Sequence, residues 1–240
     1  MIELKLNRIL IDGKVCDYYE FFKGESEETK KFFEQLDSGE KIIGLNSERY
    51  RDIYFFTKRE FPKEVFNYLK TTPYFIAPAS TCYHYNCIGG LLLHSFNVYD
   101  IYKKLNFCFA DREYLPILLH DLGKAFIYLP NTEPYPLYGY KNSQKYWKPF
   151  IIYQKRLSVR DYTIYMVGLL QGLFPKKLNF GIEHIQAIAL HDNNFEVNSQ
   201  NICYNFSDIS KLALEYQASD SLATKVEPIY NEESITKEIL

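Results

Sequence analysis

The chain has no apolar run near the ~20 residues that a membrane-crossing helix needs. Its first residues, MIELKLNRILIDGK, lack the apolar centre of a signal peptide. Both absences make the cytoplasm the expected location and leave a membrane out of the expected partners. Cysteine is sparse: Cys16, Cys82, Cys87, Cys108 and Cys203 are odd in number and form no CxxC pair. That argues against a disulfide framework or a zinc knuckle and for reduced thiols. Positive charge is not in excess either, with 28 Lys+Arg against 30 Asp+Glu, a formal net charge of −2 and a pI near 6.2. A broad basic surface for duplex DNA is therefore not expected, although a small phosphate pocket remains compatible. No internal repeat and no low-complexity tract interrupts the chain.

What is there is enough apolar material for a sizeable core: 47% of 240 residues. Residues 2–10 alternate as a strand would, and Asp12–Gly13 signals a turn into a hairpin with residues 14–22. Residues 26–37 predict a helix capped by Ser26 and stopped by Gly39. A second helix is expected over 58–70, before Pro73. Residues 1–57 are expected to form a small N-terminal α+β appendage. From Phe75 onward the pattern is mainly α, with helices over 89–105, 112–122, 159–173, 181–191 and 207–224. The Tyr-, Pro- and Gly-rich stretch 128–150 predicts a hairpin-like insertion or lid. Residues 58–226 form the expected main domain, and 227–240 a charged, frayed tail.

Four polar residues sit where helical apolar patterns call for core. His94 shares a face with Leu91, Val98, Ile101 and Leu105. Asp220 lies on the face marked by Ile209, Leu212, Ala213, Tyr216 and Ala223. Between them, LPILLHDLGK ends an apolar helix at His120–Asp121, with Gly123 as the expected helix stop. Burying ionisable groups is costly unless they share a partner, and a metal ion is an economical one. Imidazole nitrogen with carboxylate oxygen suits a divalent transition metal: Mn, Fe, Zn, Co or Ni. Two His and two Asp leave positions open for water or a phosphate oxygen, as a catalytic site requires. Taken singly, each has a plainer explanation: a core histidine, a chance His-Asp pair, a capping aspartate.

The order H…HD…D, carried by His94, His120–Asp121 and Asp220, resembles the HD-domain metal-dependent phosphohydrolase superfamily. The segment PYFIAPASTCYHYNCIGGLLLHSFNVYD (residues 73–100) is similar to a subgroup found in Gram-positive bacteria, their phages and mobile elements, related to HD-domain 3′→5′ exoribonucleases. Residues 73–126 carry the specific match, and 183–192 and 216–225 a weaker one. The resemblance implies an HD-domain helical bundle with His94, His120, Asp121 and Asp220 as metal ligands. It implies that Lys124 of the HDxxK pattern lies near the substrate phosphate or the HD aspartate. The alternative for Lys124 is a helix C-terminal residue favoured by the dipole. His84, upstream of the Gly89–Gly90 pair, either meets a leaving group or closes its loop.

One departure bears on metal count. Relatives with two ions carry another His in the stretch corresponding to LSVRDYT (157–163), and here no His lies between His120 and His184. One ion is therefore expected. His191 matches a later family His and is expected to face the substrate or act as general acid, the alternative being a simple helix-end residue. His184, seven residues earlier, is about 10 Å away along a helix and cannot share an ion with it.

The expected activity is that of a phosphohydrolase or phosphodiesterase acting on a nucleotide or short nucleic acid through a metal-bound water oriented by Asp121 or Asp220. Lys124, and Arg156 or Arg160, are candidates to steady the phosphate. Trp147 is a candidate to stack a base, against the plainer reading of a packed hairpin. Two further readings stay open: a degenerate HD domain that binds a nucleotide or partner without hydrolysis, and a nuclease-associated module. Homo-oligomerisation is compatible with all three.

Overall fold

A computed structural model describes residues 1–4, 9–16, 26–44, 46–105, 114–131, 138–141, 144–153, 157–191 and 209–230. In chain order the elements begin with β1 (Ile2–Leu4), β2 (Ile9–Ile11), β3 (Lys14–Cys16), α1 (Glu27–Asp37), β4 (Ile42–Gly44), α2 (Ser47–Glu60) and α3 (Lys63–Lys70). There follow a 3-10 turn (Pro73–Phe75), α4 (Gly90–Lys104), α5 (Tyr114–Leu118), α6 (Lys124–Ile127), β5 (Tyr128–Pro130), β6 (Tyr138–Lys141), β7 (Gln144–Trp147) and β8 (Phe150–Ile152). The last are α7 (Val159–Leu173), α8 (Ile182–Leu190) and α9 (Lys211–Val226). The protein is mainly helical. It divides into two compact units: Met1–His94 with Lys124–Arg156 and Glu227–Leu240, and Ser95–Gly123 with Leu157–Val226. Residues 1–57 thus share a unit with 58–94.

In the first unit, a sheet of order β3-β2-β1-β4 is antiparallel except for β4, which runs parallel to β1. The single strand expected over 2–10 is two strands, with Ile2 opposite Ile11 and Leu4 opposite Ile9. This fold-back buries Ile2 and Ile11 together, which one extended strand would not do. The expected Asp12–Gly13 turn is present. Both residues have positive φ (50° and 79°), as a two-residue hairpin matched to strand twist requires. Residues 17–22 of that hairpin lie outside the described residues.

Helix α1 starts as expected, with Ser26 Oγ accepting from Thr29 N–H at 3.0 Å. It stops at Gly39, whose φ is +78°. The helix expected over 58–70 is divided. Pro62 holds Phe61 extended (φ −74°, ψ 144°), so α2 ends and α3 begins afresh. Helix α2 itself, within the expected appendage, had no counterpart in the sequence reading. Phe33, Tyr54, Phe66 and Phe75 form a ring cluster with centroids 5.3–6.3 Å apart. Tyr50 Oη donates to the Phe75 carbonyl at 2.9 Å. The insertion is indeed strand-paired: β5 with β8, and β6 with β7, both antiparallel.

Residues 227–230 are held rather than frayed. Tyr85 N–H donates to Pro228 O at 2.8 Å, Tyr230 N–H to Asn86 Oδ1 at 2.8 Å, and Asn86 Nδ2 to Tyr230 O at 2.9 Å. The rest of the expected tail, 231–240, lies outside the described residues.

In the second unit, α9 packs on α8, and α8 on α7 and α5. The core includes Val98, Tyr102, Ile117, Leu190, Leu212 and Tyr216. Leu105, expected on the inner face of α4, is 41% exposed, and Tyr102 is buried in its place. Helix α4 contributes Gly90–His94 to the first unit and Ser95–Lys104 to the second. The helix expected over 112–122 stops at Leu118, and the one expected over 207–224 is found as Lys211–Val226. Residues 112–113 and 207–208 lie outside the described residues. Cys82 and Cys87 are buried and not joined in a disulfide. No helix among the described residues is long and apolar enough to cross a membrane.

Candidate metal centre

The His-Asp pair does not sit on a helix. After α5 the chain tightens into turns closing on the residue three earlier: Leu119 N–H to Pro116 O (3.1 Å), His120 N–H to Ile117 O (3.3 Å) and Leu122 N–H to Leu119 O (3.0 Å). Leu118, Leu119 and Leu122 are buried, and the turn carries His120 and Asp121 inside with them, each 1% exposed. The two side chains are therefore not held at the ~100° separation that an α-helix gives neighbouring residues.

Gly123 follows, but not as a left-handed helix stop, since its φ is not positive. It is required because α7 lies against it. A Cβ there would be 2.5 Å from Val159 O and 2.7 Å from both Thr163 N and Thr163 Oγ1. Thr163 Oγ1 accepts the Gly123 N–H at 2.9 Å and donates to Val159 O at 2.9 Å. The 157–163 stretch thus supplies a support for the His-Asp turn.

Asp121 is the hub of the second unit's polar cluster. Its Oδ2 is 3.3 Å from His120 Nε2 and its Oδ1 3.5 Å from His191 Nε2. Asp220 Oδ1 is 3.9 Å from His120 Nε2. The two imidazoles meet edge-on, centroids 4.7 Å apart at 89°. Each ring is anchored the same way. His120 Nδ1 is 2.6 Å from Ile117 O, and His191 Nδ1 is 2.7 Å from Ile188 O. A carbonyl only accepts, so each Nδ1 donates and a neutral ring keeps its lone pair on Nε2. Each Nε2 lies within 3.5 Å of an Asp121 oxygen.

This donor set fits a divalent ion. Two atoms that each lie ~2.1 Å from one ion are at most ~4.2 Å apart. Pair by pair, the separations of 3.3, 3.5 and 3.9 Å meet that bound, and His120, Asp121 and His191 together form a group with metal-ligand spacing. Imidazole with carboxylate is the mixture that transition metals accept. These buried His, Asp and Glu groups can hold a metal ion.

In the first unit, His94 is fully buried, and its Nδ1 lies 2.9 Å from Glu227 Oε2 and 3.1 Å from Oε1. His84 places its ring 4.9 Å from that of His94, tilted by 41°. The three form a second group with metal-ligand spacing. Lys124 is buried and is the first residue of the four-residue α6.

Arg160 lies in the first turn of α7, 41% exposed at its side chain, with Nε 3.6 Å from Asp161. The Trp147 backbone pairs with Tyr138 in the β6–β7 hairpin. The Trp147 side chain and all of Arg156 lie outside what is described. His184 Nδ1 accepts from Gly181 N–H at 3.1 Å and serves the start of α8. His191 is both the residue ending α8 and a member of the cluster.

Sequence reasoning missed Thr163 and Glu227. Thr163 carries no signal of its own among ordinary helix residues. Glu227 had one weak cue, the helix-ending Pro228 beside it. No protein-family model, no curated protein and no solved structure matches the chain.

Proposed function

We propose that the chain is a metal-dependent phosphohydrolase of the HD kind, acting on a phosphoester of a nucleotide or short nucleic acid. The observation that carries this reading is the buried group in which His120 Nε2 and His191 Nε2 lie 3.3 and 3.5 Å from the Asp121 carboxylate, with Asp220 Oδ1 3.9 Å from His120 Nε2. His120, Asp121 and His191 would hold the ion, and Asp220 and His94 are assigned as ligands by their places in the H…HD…D order. When bound, a divalent ion would lower the pKa of water and offset charge on phosphoryl oxygens.

The protein's own groups supply the rest. The two carbonyl anchors hold the imidazoles in register before any ion arrives, so little ordering is left to be done on binding. Asp121 and Asp220 are the proton acceptors for an attacking water. Lys124 is assigned to the phosphate as a point charge, on the HDxxK resemblance. His191 takes a ligand role rather than the general-acid role expected from sequence, because its fixed Nε2 already faces the carboxylate that a metal would share. His84 and Trp147 remain candidates for substrate contact on sequence grounds. The pairing of Arg160 with Asp161 favours a role at the start of α7 instead.

The test combines metal analysis with turnover. Protein purified without chelator should carry a divalent transition metal that His120→Ala loses. With Mn²⁺ it should hydrolyse bis-p-nitrophenyl phosphate or p-nitrophenyl phosphate, the preference separating diesterase from monoesterase. A panel of dNTPs, nucleoside monophosphates, cyclic nucleotides and short RNA then narrows the substrate. Nucleotide binding without turnover under every metal would replace this reading with that of a non-hydrolytic binder.

A further inference from the structure

We propose that Glu227 is a positioning residue for His94, which rests on the reading of His94 as a metal ligand. Both Glu227 oxygens lie within 3.1 Å of His94 Nδ1. Both side chains have no solvent exposure. A carboxylate only accepts, so Nδ1–H donates to it. That fixes the ring in the tautomer whose lone pair is on Nε2. His94, His120 and His191 are thus all anchored through Nδ1. Backbone carbonyls anchor two of them, and a carboxylate anchors His94.

The difference has a chemical consequence. A carboxylate behind a ligating imidazole raises its basicity and locks its orientation, and such partners govern affinity by about 10–100-fold. An ionised carboxylate is costly to bury without a partner, so a buried Glu on Nδ1 is not a casual contact. The placement is also over-determined. The segment 227–230 is tied to 84–86 by the Tyr85–Pro228 and Asn86–Tyr230 hydrogen bonds and by pairing of His84 with Ile229. The His84 ring stands beside His94. Direct ligation by Glu227 is the competing use of the same residues, and a hydrogen bond of 2.9 Å to Nδ1 favours support over ligation.

The experiment uses the full chain with Glu227→Ala, Glu227→Gln and His94→Ala. Histidine ¹⁵N NMR on metal-free protein should show His94 as the Nδ1–H tautomer in the parent and in Glu227→Gln, whose amide oxygen still accepts. Glu227→Ala should lose that preference. Competition titration with Co²⁺ or Mn²⁺ should show about 10–100-fold weaker binding for Glu227→Ala and a smaller loss for Glu227→Gln. Unchanged tautomer and unchanged affinity in Glu227→Ala would overturn the positioning role alone. So would two equivalents bound by the parent, with one lost outright in Glu227→Ala, because Glu227 would then be a ligand. If the parent binds no divalent ion, the metal reading fails, and the positioning role fails with it. If the parent binds an ion that His94→Ala retains in full, the assignment of His94 fails while the phosphohydrolase reading stands.

Discussion

Gly123→Ala should loosen the turn that presents His120 and Asp121. The added Cβ would sit 2.5 Å from Val159 O and 2.7 Å from Thr163 N and Oγ1, where ordinary contact begins at 3.4 Å. Two of these three atoms belong to the α7 backbone and cannot rotate away. The third, Thr163 Oγ1, is fixed by its bonds to Gly123 N–H and Val159 O. Relief therefore requires α7 or the turn to withdraw by about 1 Å, an overpacking cost of about 1–3 kcal/mol. Withdrawal also weakens the Gly123–Thr163 hydrogen bond, which contributes about 1 kcal/mol. The sum, about 2–4 kcal/mol, is a large share of the roughly 5–15 kcal/mol that holds a typical domain folded. Urea unfolding in chelator isolates this cost from any metal effect, and metal titration of the folded variant then reports on the turn. Thr163→Val is the companion variant. It keeps the shape, removes the acceptor and leaves a buried N–H, for a loss of about 1–3 kcal/mol, whereas Thr163→Ser should cost much less. A Gly123→Ala protein within about 0.5 kcal/mol of the parent, with unchanged metal affinity, would refute the reasoning.

Divalent metal should raise the melting temperature. An ion at 100-fold its dissociation constant stabilises by about 2.7 kcal/mol, and thermal scans with and without chelator should show this gain vanish in His120→Ala. Asp37 offers a pH signature. Burial alone would raise its pKa, but hydrogen bonds from Lys58, Lys70 and Tyr54 outweigh this and hold it below the usual carboxylate range. Its stabilisation is therefore complete above the unfolded pKa of about 3.9 and is lost as pH falls through the lower folded value. Asp37→Asn should cost about 1 kcal/mol or less at pH 7, because water screens these pairs. In urea titrations the gap should close toward pH 2, and one that widens in acid would refute the assignment. Gly90→Ala should cost about 3 kcal/mol, read by unfolding, because its Cβ would lie 2.1 Å from Tyr85 O and 3.0 Å from Ala79 N at the start of α4.

Signals read within a few residues matched the structure: the Ser26 cap, the Asp12–Gly13 turn, the paired strands of 128–150, and the inward face of α9 with Asp220 on it. Each depends on local backbone chemistry or on a helical period that the chain carries along itself. The departures arise where another segment decides. A strand period over 2–10 does not reveal that the strand folds back on itself, because alternation is the same in one strand or two. The stop at Phe61 is of another kind: Pro62 pushes the residue before it out of helical backbone, a local signal that the helical pattern over 58–70 masks.

The same division explains what was legible in the metal centre. Ligand candidates show in sequence because an ionisable residue on an apolar face is a local anomaly. His94, His120, Asp121 and Asp220 each carry that mark, whereas His191 was reached through the resemblance. Their supports carry no such mark. Ile117 O and Ile188 O are backbone atoms, present at every residue, and they become anchors only because the ring folds back three residues. Thr163 is 40 residues from Gly123, and Glu227 is 133 from His94. Those supports fix which nitrogen faces inward, and that choice separates an imidazole able to take a metal from one already committed to a hydrogen bond. Substitutions at Thr163 and Glu227 therefore probe the proposed chemistry more sharply than further removal of the histidines. They leave His94, His120, Asp121, His191 and Asp220 in place and change only how well those residues are held.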